Sequence, residues 1–236
     1  MNVVQRDFWQ TIILDIAKKR ESLNRPIIQG ILGPIGVGKS TLGNHIAKML
    51  GELGLRAVSF SLDDLYKTYQ ERTLLRKKDS RLIWRGPPGT HDVSLGLQLF
   101  EQVLESSKNI LLWRFDKSLC QGQGDRIKEP EISSNIDVLL FEGWFVGVRP
   151  INFFDLKFIP ELINTPKDIS FAKDCNQRLV EYLPLWEKID HLIVLCPEDY
   201  RYSLQWRQEA EKKQQIGMTS REIEDFVFYF WRALHP

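Results

Sequence analysis

Apolar residues recur along this chain with two different periods. Phe8, Trp9, Ile12, Ile13 and Ile16 keep helical spacing and predict an N-terminal helix within residues 1–24. Pro26 breaks that pattern, and the run PIIQGIL reads as a short buried strand. Beyond the glycine-rich stretch GPIGVGKST, Leu42, Ile46, Met49, Leu50 and Leu53 resume a helical stripe, which Gly54 ends. Residues 56–62 (RAVSFSL) read as the next strand, 93–107 as a helix and 110–115 as a strand. IDVLLF (136–141) and DHLIVLC (190–196) are two further strands, and Ile223, Phe226, Val227 and Phe230 share one face of a last helix.

Strands that alternate with helices at this spacing predict an α/β fold of three layers, a parallel sheet with helices on both faces. Residues 116–135 and 143–170 break the alternation. They are rich in Gly, Pro, Asn, Asp and Lys and long for a compact domain, which marks them as functional loops or as segments subject to rearrangement. No internal repeat, low-complexity tract or linker interrupts the 236 residues, so one domain spanning 1–236 is expected.

Composition narrows the partners. A net charge of +1 supplies no global field for nucleic acid or an anionic membrane surface, and neither is an expected partner. Cys120, Cys175 and Cys196 are scattered and odd in number, which fits reduced thiols in a cytoplasmic setting better than a disulfide framework. No apolar run reaches bilayer length, and MNVVQRDFWQ lacks the apolar core of a secretory signal. Nothing in the sequence specifies an oligomeric state.

Chemistry enters at residues 33–41. Gly33, Pro34, Ile35, Gly36, Val37, Gly38, Lys39 and Ser40 satisfy G-x-x-x-x-G-K-[ST], and Thr41 follows. Glycines let successive backbone N–H groups turn inward around phosphate oxygens, and the helix that begins near Lys39 aims its positive end at them. Lys39 adds a mobile positive charge, and the Ser40 hydroxyl can join a magnesium shell. The motif stands between an apolar strand and an amphipathic helix, the context it requires. A nucleotide's phosphates and Mg2+ are the implied ligands.

Two acids end predicted strands, where ligands of open α/β sheets collect: Asp63 after VSFSL and Glu142 after DVLLF. Phosphoryl transfer to an alcohol needs a magnesium-linked acid and a group that takes or orients the hydroxyl proton. The alternatives are a helix N-cap at Asp63 or Asp64 and a structural pairing of Glu142.

GPIGVGKSTL, SLDDLY, RGPPGTHD, RFDKSLCQGQGDR, FEGWFVG and WRQEAE, in this order, resemble the D-glycerate 3-kinase family. That family belongs to the wider P-loop NTPase-type kinases that include uridine kinase, pantothenate kinase and phosphoribulokinase. The resemblance runs from about Ile28 to the end. It implies that the nucleotide is ATP, that Asp63 is similar to the catalytic base, that Glu142 with Ser40 resembles the magnesium-holding pair, and that a lid helix within about 198–216 brings Arg201 and Arg207 over the transferred phosphate. It also implies a further stretch after WRALHP, completing the sheet edge or the base pocket, which this sequence does not carry.

If the acceptor is D-glycerate, the site must hold a small anion and orient one primary hydroxyl near Asp63. Arg85 in RGPPGTHD, with Lys117 and Arg126 in the loop DKSLCQGQGDR, are the candidates for its carboxylate. Asp92 and His91 are candidates for its hydroxyls. The prolines limit the conformations lost on ordering that loop, and its glycines permit the turn. Trp84 and Trp144 are candidate pocket walls. The implied activity is ATP-dependent formation of 3-phosphoglycerate. The competing readings are a kinase of a nucleoside or pantothenate, and a nucleotide-binding protein without catalysis.

Overall fold

The computed structural model describes residues 3–152, 160–214 and 218–235, with residues 3–7 and 213–214 described in their backbone only. The elements run α1 (Val3–Leu23), β1 (Ile27–Leu32), α2 (Lys39–Glu52), β2 (Ala57–Ser61), α3 (Tyr69–Lys78) and α4 (Val93–Leu104). Four short strands follow: β3 (Ile110–Leu112), β4 (Phe115–Asp116), β5 (Asp125–Arg126) and β6 (Glu131–Ser133). The chain continues through β7 (Val138–Gly143), α5 (Pro166–Arg178), α6 (Leu183–Trp186), β8 (His191–Val194), α7 (Tyr202–Gln214) and α8 (Ser220–Ala233). Residues 215–216, the end of the expected lid segment, lie outside the described residues.

The central sheet is parallel, in the order β2-β7-β1-β8. Strand alternation sends successive side chains to opposite faces. Ile28, Leu139 and Phe141 pack with Phe100 and Val103 of α4 and with Leu185 and Trp186 of α6. Ile27, Ile31, Val138 and Leu140 pack on the other side with Ile13 and Ile16 of α1 and Ile46 and Leu50 of α2. Both faces are therefore covered, and the three-layer expectation holds. Each fully buried Ile or Leu in these layers contributes roughly 1.5–3 kcal/mol relative to exposure.

The expected strand over 110–115 takes a different form. It breaks at Trp113 and Arg114, and its halves pair antiparallel outside the central sheet, β3 with β6 and β4 with β5. Its apolar run fills the rim of the core through Ile110, Leu112 and Phe115 without joining the parallel ladder. The β4–β5 hairpin carries residues 117–124 to the carboxyl end of the sheet, so the irregular region 116–135 is largely built of short hairpins.

Candidate active site

The phosphate-binding turn links β1 to α2. Gly36 and Gly38 take positive φ of 81° and 92°, a region that glycine enters at no steric cost. Gly38 is also the N-cap of α2, and no side chain caps that helix. Its first-turn N–H groups, together with the positive end of the helix, thus remain directed at the cleft. A Cβ on Gly36 would lie 2.8 Å from Cβ of Trp206, so the turn touches α7 at van der Waals distance. The Lys39 ammonium donates to the Pro34 carbonyl at 2.9 Å. Burial lowers its pKa, opposed by the charges of Glu142 and Asp63.

Beside the turn, the Ser40 hydroxyl donates to Glu142 Oε1 at 2.7 Å. Burial raises the pKa of Glu142, opposed by Lys39 and by the Ser40 hydrogen bond. A hydroxyl and one carboxylate at the mouth of a phosphate cradle suit a small, hard cation that takes its other ligands from phosphates and water. Among the described residues, no three His, Cys, Asp or Glu side chains gather into an all-protein metal cage.

Asp63 faces the same cleft. It stands one residue into a 3-10 turn over Leu62–Leu65, and the cap of that turn is Ser61, whose side chain accepts from the Asp63 N–H and whose own N–H donates to Asp64. Neither aspartate is the N-cap. Asp64 instead bonds Arg114 and the Phe115 N–H, which ties β2 to the hairpin. The Asp63 carboxylate pairs with the Lys117 ammonium at 2.6 Å. Burial alone would raise its pKa, but the charge and hydrogen bond of Lys117, with the Tyr66 hydroxyl, hold it well below the ordinary carboxylate range.

These groups converge on one cleft of about 580 Å³. Gly36, Gly38, Lys39, Ser40 and Thr41 line one end, with Ile35 at its edge. Asp63, Glu142, Arg85, Lys117 and Arg207 line the remainder, along with Trp84 and Trp144. Arg85 is mounted on the hairpin by donating to the carbonyls of Gly122 and Gln123 at 3.1 and 2.9 Å. Arg207 on α7 pairs with Glu211 one turn on and lies over the Phe226 ring at 5.2 Å. Gly33, Pro34 and Val37 shape the turn from behind, and Gly33 packs against Leu195 and Val37.

Four expected site residues are placed elsewhere. His91 is fully buried, stacked on Tyr66 at 4.5 Å, with Nδ1 hydrogen-bonded to the Tyr182 hydroxyl at 2.9 Å. Burial lowers its pKa to about 3, so the ring is neutral. Asp92 caps α4 by accepting from the Leu95 N–H. Arg126 pairs with Asp92 and donates to the Tyr66 carbonyl, both at 3.1 Å. Arg201 is an exposed residue paired with Asp199 two positions away. Of the RGPPGTHD loop, then, only Arg85 reaches the cleft. Gly86, Pro87 and Pro88 are buried, and the Gly89 N–H donates to Tyr182. The loop is a scaffold under Tyr66.

Tyr66 was missed by the sequence reading. It lines the cleft and its hydroxyl bonds Asp63. The signal was available, because residues three apart eclipse one another in a 3-10 turn. Gln121 and Gln123 of the hairpin also line the cleft.

No protein-family model matches the chain. It is 31% identical over 221 residues to the chloroplastic D-glycerate 3-kinase of Arabidopsis thaliana, which is 86% of this chain but 45% of that protein, so it spans less than half of that relative's length. It is 32% identical over 231 residues to an uncharacterised kinase of Schizosaccharomyces pombe, 93% of this chain and 83% of that protein. Among solved structures, D-glycerate 3-kinase from Cryptococcus neoformans superposes with a TM-score of 0.80 at 25% identity, covering 96% of this chain and 87% of that one. No described helix is long and apolar enough to cross a membrane.

Proposed function

The chain belongs to the P-loop kinase family that includes D-glycerate 3-kinase, and on that premise we propose that it transfers the γ-phosphoryl group of ATP to the primary hydroxyl of D-glycerate. The bond from the γ-phosphorus to its bridging oxygen breaks, and a bond to the acceptor oxygen forms. The acceptor proton passes to Asp63, and ADP and 3-phosphoglycerate leave. Such a transfer is carried by positioning and charge stabilisation more than by covalent chemistry. The observation that carries the reading is the single cleft shared by the 33–41 turn, the Ser40–Glu142 pair and Asp63.

In this reading Lys39 and the turn's N–H groups hold the phosphates, and Ser40 and Glu142 would hold Mg2+, which would offset phosphate charge when bound. Asp63 orients the acceptor hydroxyl. Arg207, on a helix that acts as a lid within a single kinase domain, faces the equatorial oxygens of the transferred group. Arg85 and Lys117 face the acceptor's carboxylate. The test is a screen of ATP consumption with D-glycerate, uridine and pantothenate in parallel, with the phosphorylated product identified. The expected result is turnover with D-glycerate alone. Turnover confined to uridine or pantothenate, or to no acceptor, would sink the assignment.

A further inference from the structure

One contact in the cleft does not fit a passive binding site. The proposed base is already occupied: Lys117 sits on the Asp63 carboxylate at 2.6 Å, although both side chains retain solvent access, 59% and 31% of their surfaces. Lys117 on Oδ2 competes with an acceptor hydroxyl for the carboxylate and draws off its charge, so Asp63 is a poorer proton acceptor until Lys117 moves. The same hairpin holds a second cation. Arg85 hangs from the carbonyls of Gly122 and Gln123 in the loop that also carries Lys117. Two cations therefore share the acceptor wall, while the phosphate end has Lys39, the helix terminus and Arg207.

We propose that Lys117 is a specificity-determining residue that exchanges partners, leaving Asp63 for the carboxylate of an acidic acceptor and so freeing the base only when a hydroxy acid is bound. The proposal rests on the phosphotransfer reading above and names the substrate class of that site as small hydroxy acids. A neutral alcohol of the same size offers Lys117 no competing anion, and the ion pair with Asp63 persists. Discrimination then arises from two sources acting together, a new ion pair for the acid and a blocked base for the alcohol. The released carboxylate also regains basicity, because the ammonium that held its pKa down has gone.

The test compares D-glycerate with glycerol, which replaces the carboxylate by a hydroxymethyl group, in the wild type and in Lys117→Met, Lys117→Arg and Asp63→Asn. Losing a charged partner for the acceptor should lower kcat/KM for D-glycerate by about 100-fold in Lys117→Met, mainly through KM, with glycerol turnover raised. Lys117→Arg should recover part of the preference for the acid. Asp63→Asn supplies a readout that needs no turnover. Without its competing carboxylate, Lys117 should bind D-glycerate about 10-fold more tightly by calorimetry with a non-hydrolysable ATP analogue and magnesium. Equal losses on both acceptors in Lys117→Met would place Lys117 on the phosphoryl group and overturn the proposal, as would no loss on either. Unchanged or weaker D-glycerate binding by Asp63→Asn would overturn it as well. A wild type active only on another hydroxy acid would remove D-glycerate as substrate and leave the exchange standing on that acid. Activity confined to neutral alcohols would end both.

Discussion

The two ends of the cleft are built by different means. At the phosphate end, a nine-residue turn supplies backbone N–H groups, two glycines at positive φ and an uncapped helix start, all fixed by neighbours in sequence. At the acceptor end, the pair Asp63–Lys117 joins positions 54 apart, and Arg85 reaches hairpin carbonyls 37 and 38 positions away. In the proposed function the first end meets what every nucleotide offers, and local backbone with Lys39 and Ser40 supplies it. The second would distinguish among small alcohols with side chains held by tertiary structure, which can change without disturbing the turn.

That contrast can be broken most sharply at Asp63. Asp63→Asn keeps the shape of the 3-10 turn but removes the proposed proton acceptor, and turnover should fall about 10³-fold, with nucleotide affinity changed less than about 3-fold. Loss of nucleotide binding in this variant would show that the two ends are not separable.

The next effect concerns stability in acid. His91 lies beneath the acceptor side, whereas His45 on the phosphate-side helix is exposed. Burial holds the folded His91 at about 3 against an ordinary value of 6.5, so between these pH values the unfolded chain binds a proton that the folded chain does not. This contribution is complete above pH 6.5 and is lost as pH falls toward 3, at up to about 1.4 kcal/mol per pH unit. Urea unfolding at pH 7 and pH 4.5 should therefore show a loss in the wild type greater by about 2–3 kcal/mol than in His91→Gln. Equal slopes would mean that His91 is protonated in the folded protein.

Two arginines of one helical region sharpen the comparison at smaller scale. Arg207 lines the cleft, and Arg207→Ala should lower kcat by roughly 10–100-fold. Arg201 is paired with Asp199 at the surface, and Arg201→Ala should change turnover by less than about 3-fold. Steady-state kinetics on both variants decide the matter, and the reverse order would identify Arg201 as the group that closes over phosphate.

The same division explains what was legible in the sequence. Glycine spacing, the lysine and the strand–turn–helix context are local, and the structure forms residues 33–41 into the expected turn between β1 and the start of α2. Strand ends are local too, and Asp63 and Glu142 both come to the cleft. His91 and Asp92 share a polar, proline-stiffened loop with Arg85, and Arg126 shares the hairpin loop with Lys117, yet burial under Tyr66 and the cap of α4 remove all three from the cleft. Which side of a loop faces the core is set by packing against Tyr182 and Phe230, which come from distant segments. The strand at 110–115 forms as two short pieces outside the parallel ladder for a related reason. Its apolar residues report burial, and burial at the rim of a core looks the same in sequence as burial in a parallel ladder.

Trp84 and Trp144 stand on the cleft wall, and Trp206 backs the turn at Gly36. The protein thus carries its own optical probes at the place where ligands collect. Indole emission shifts when water beside the ring is displaced, so filling either end should change the intrinsic fluorescence without any attached dye, and nucleotide and acceptor should leave separate spectral marks.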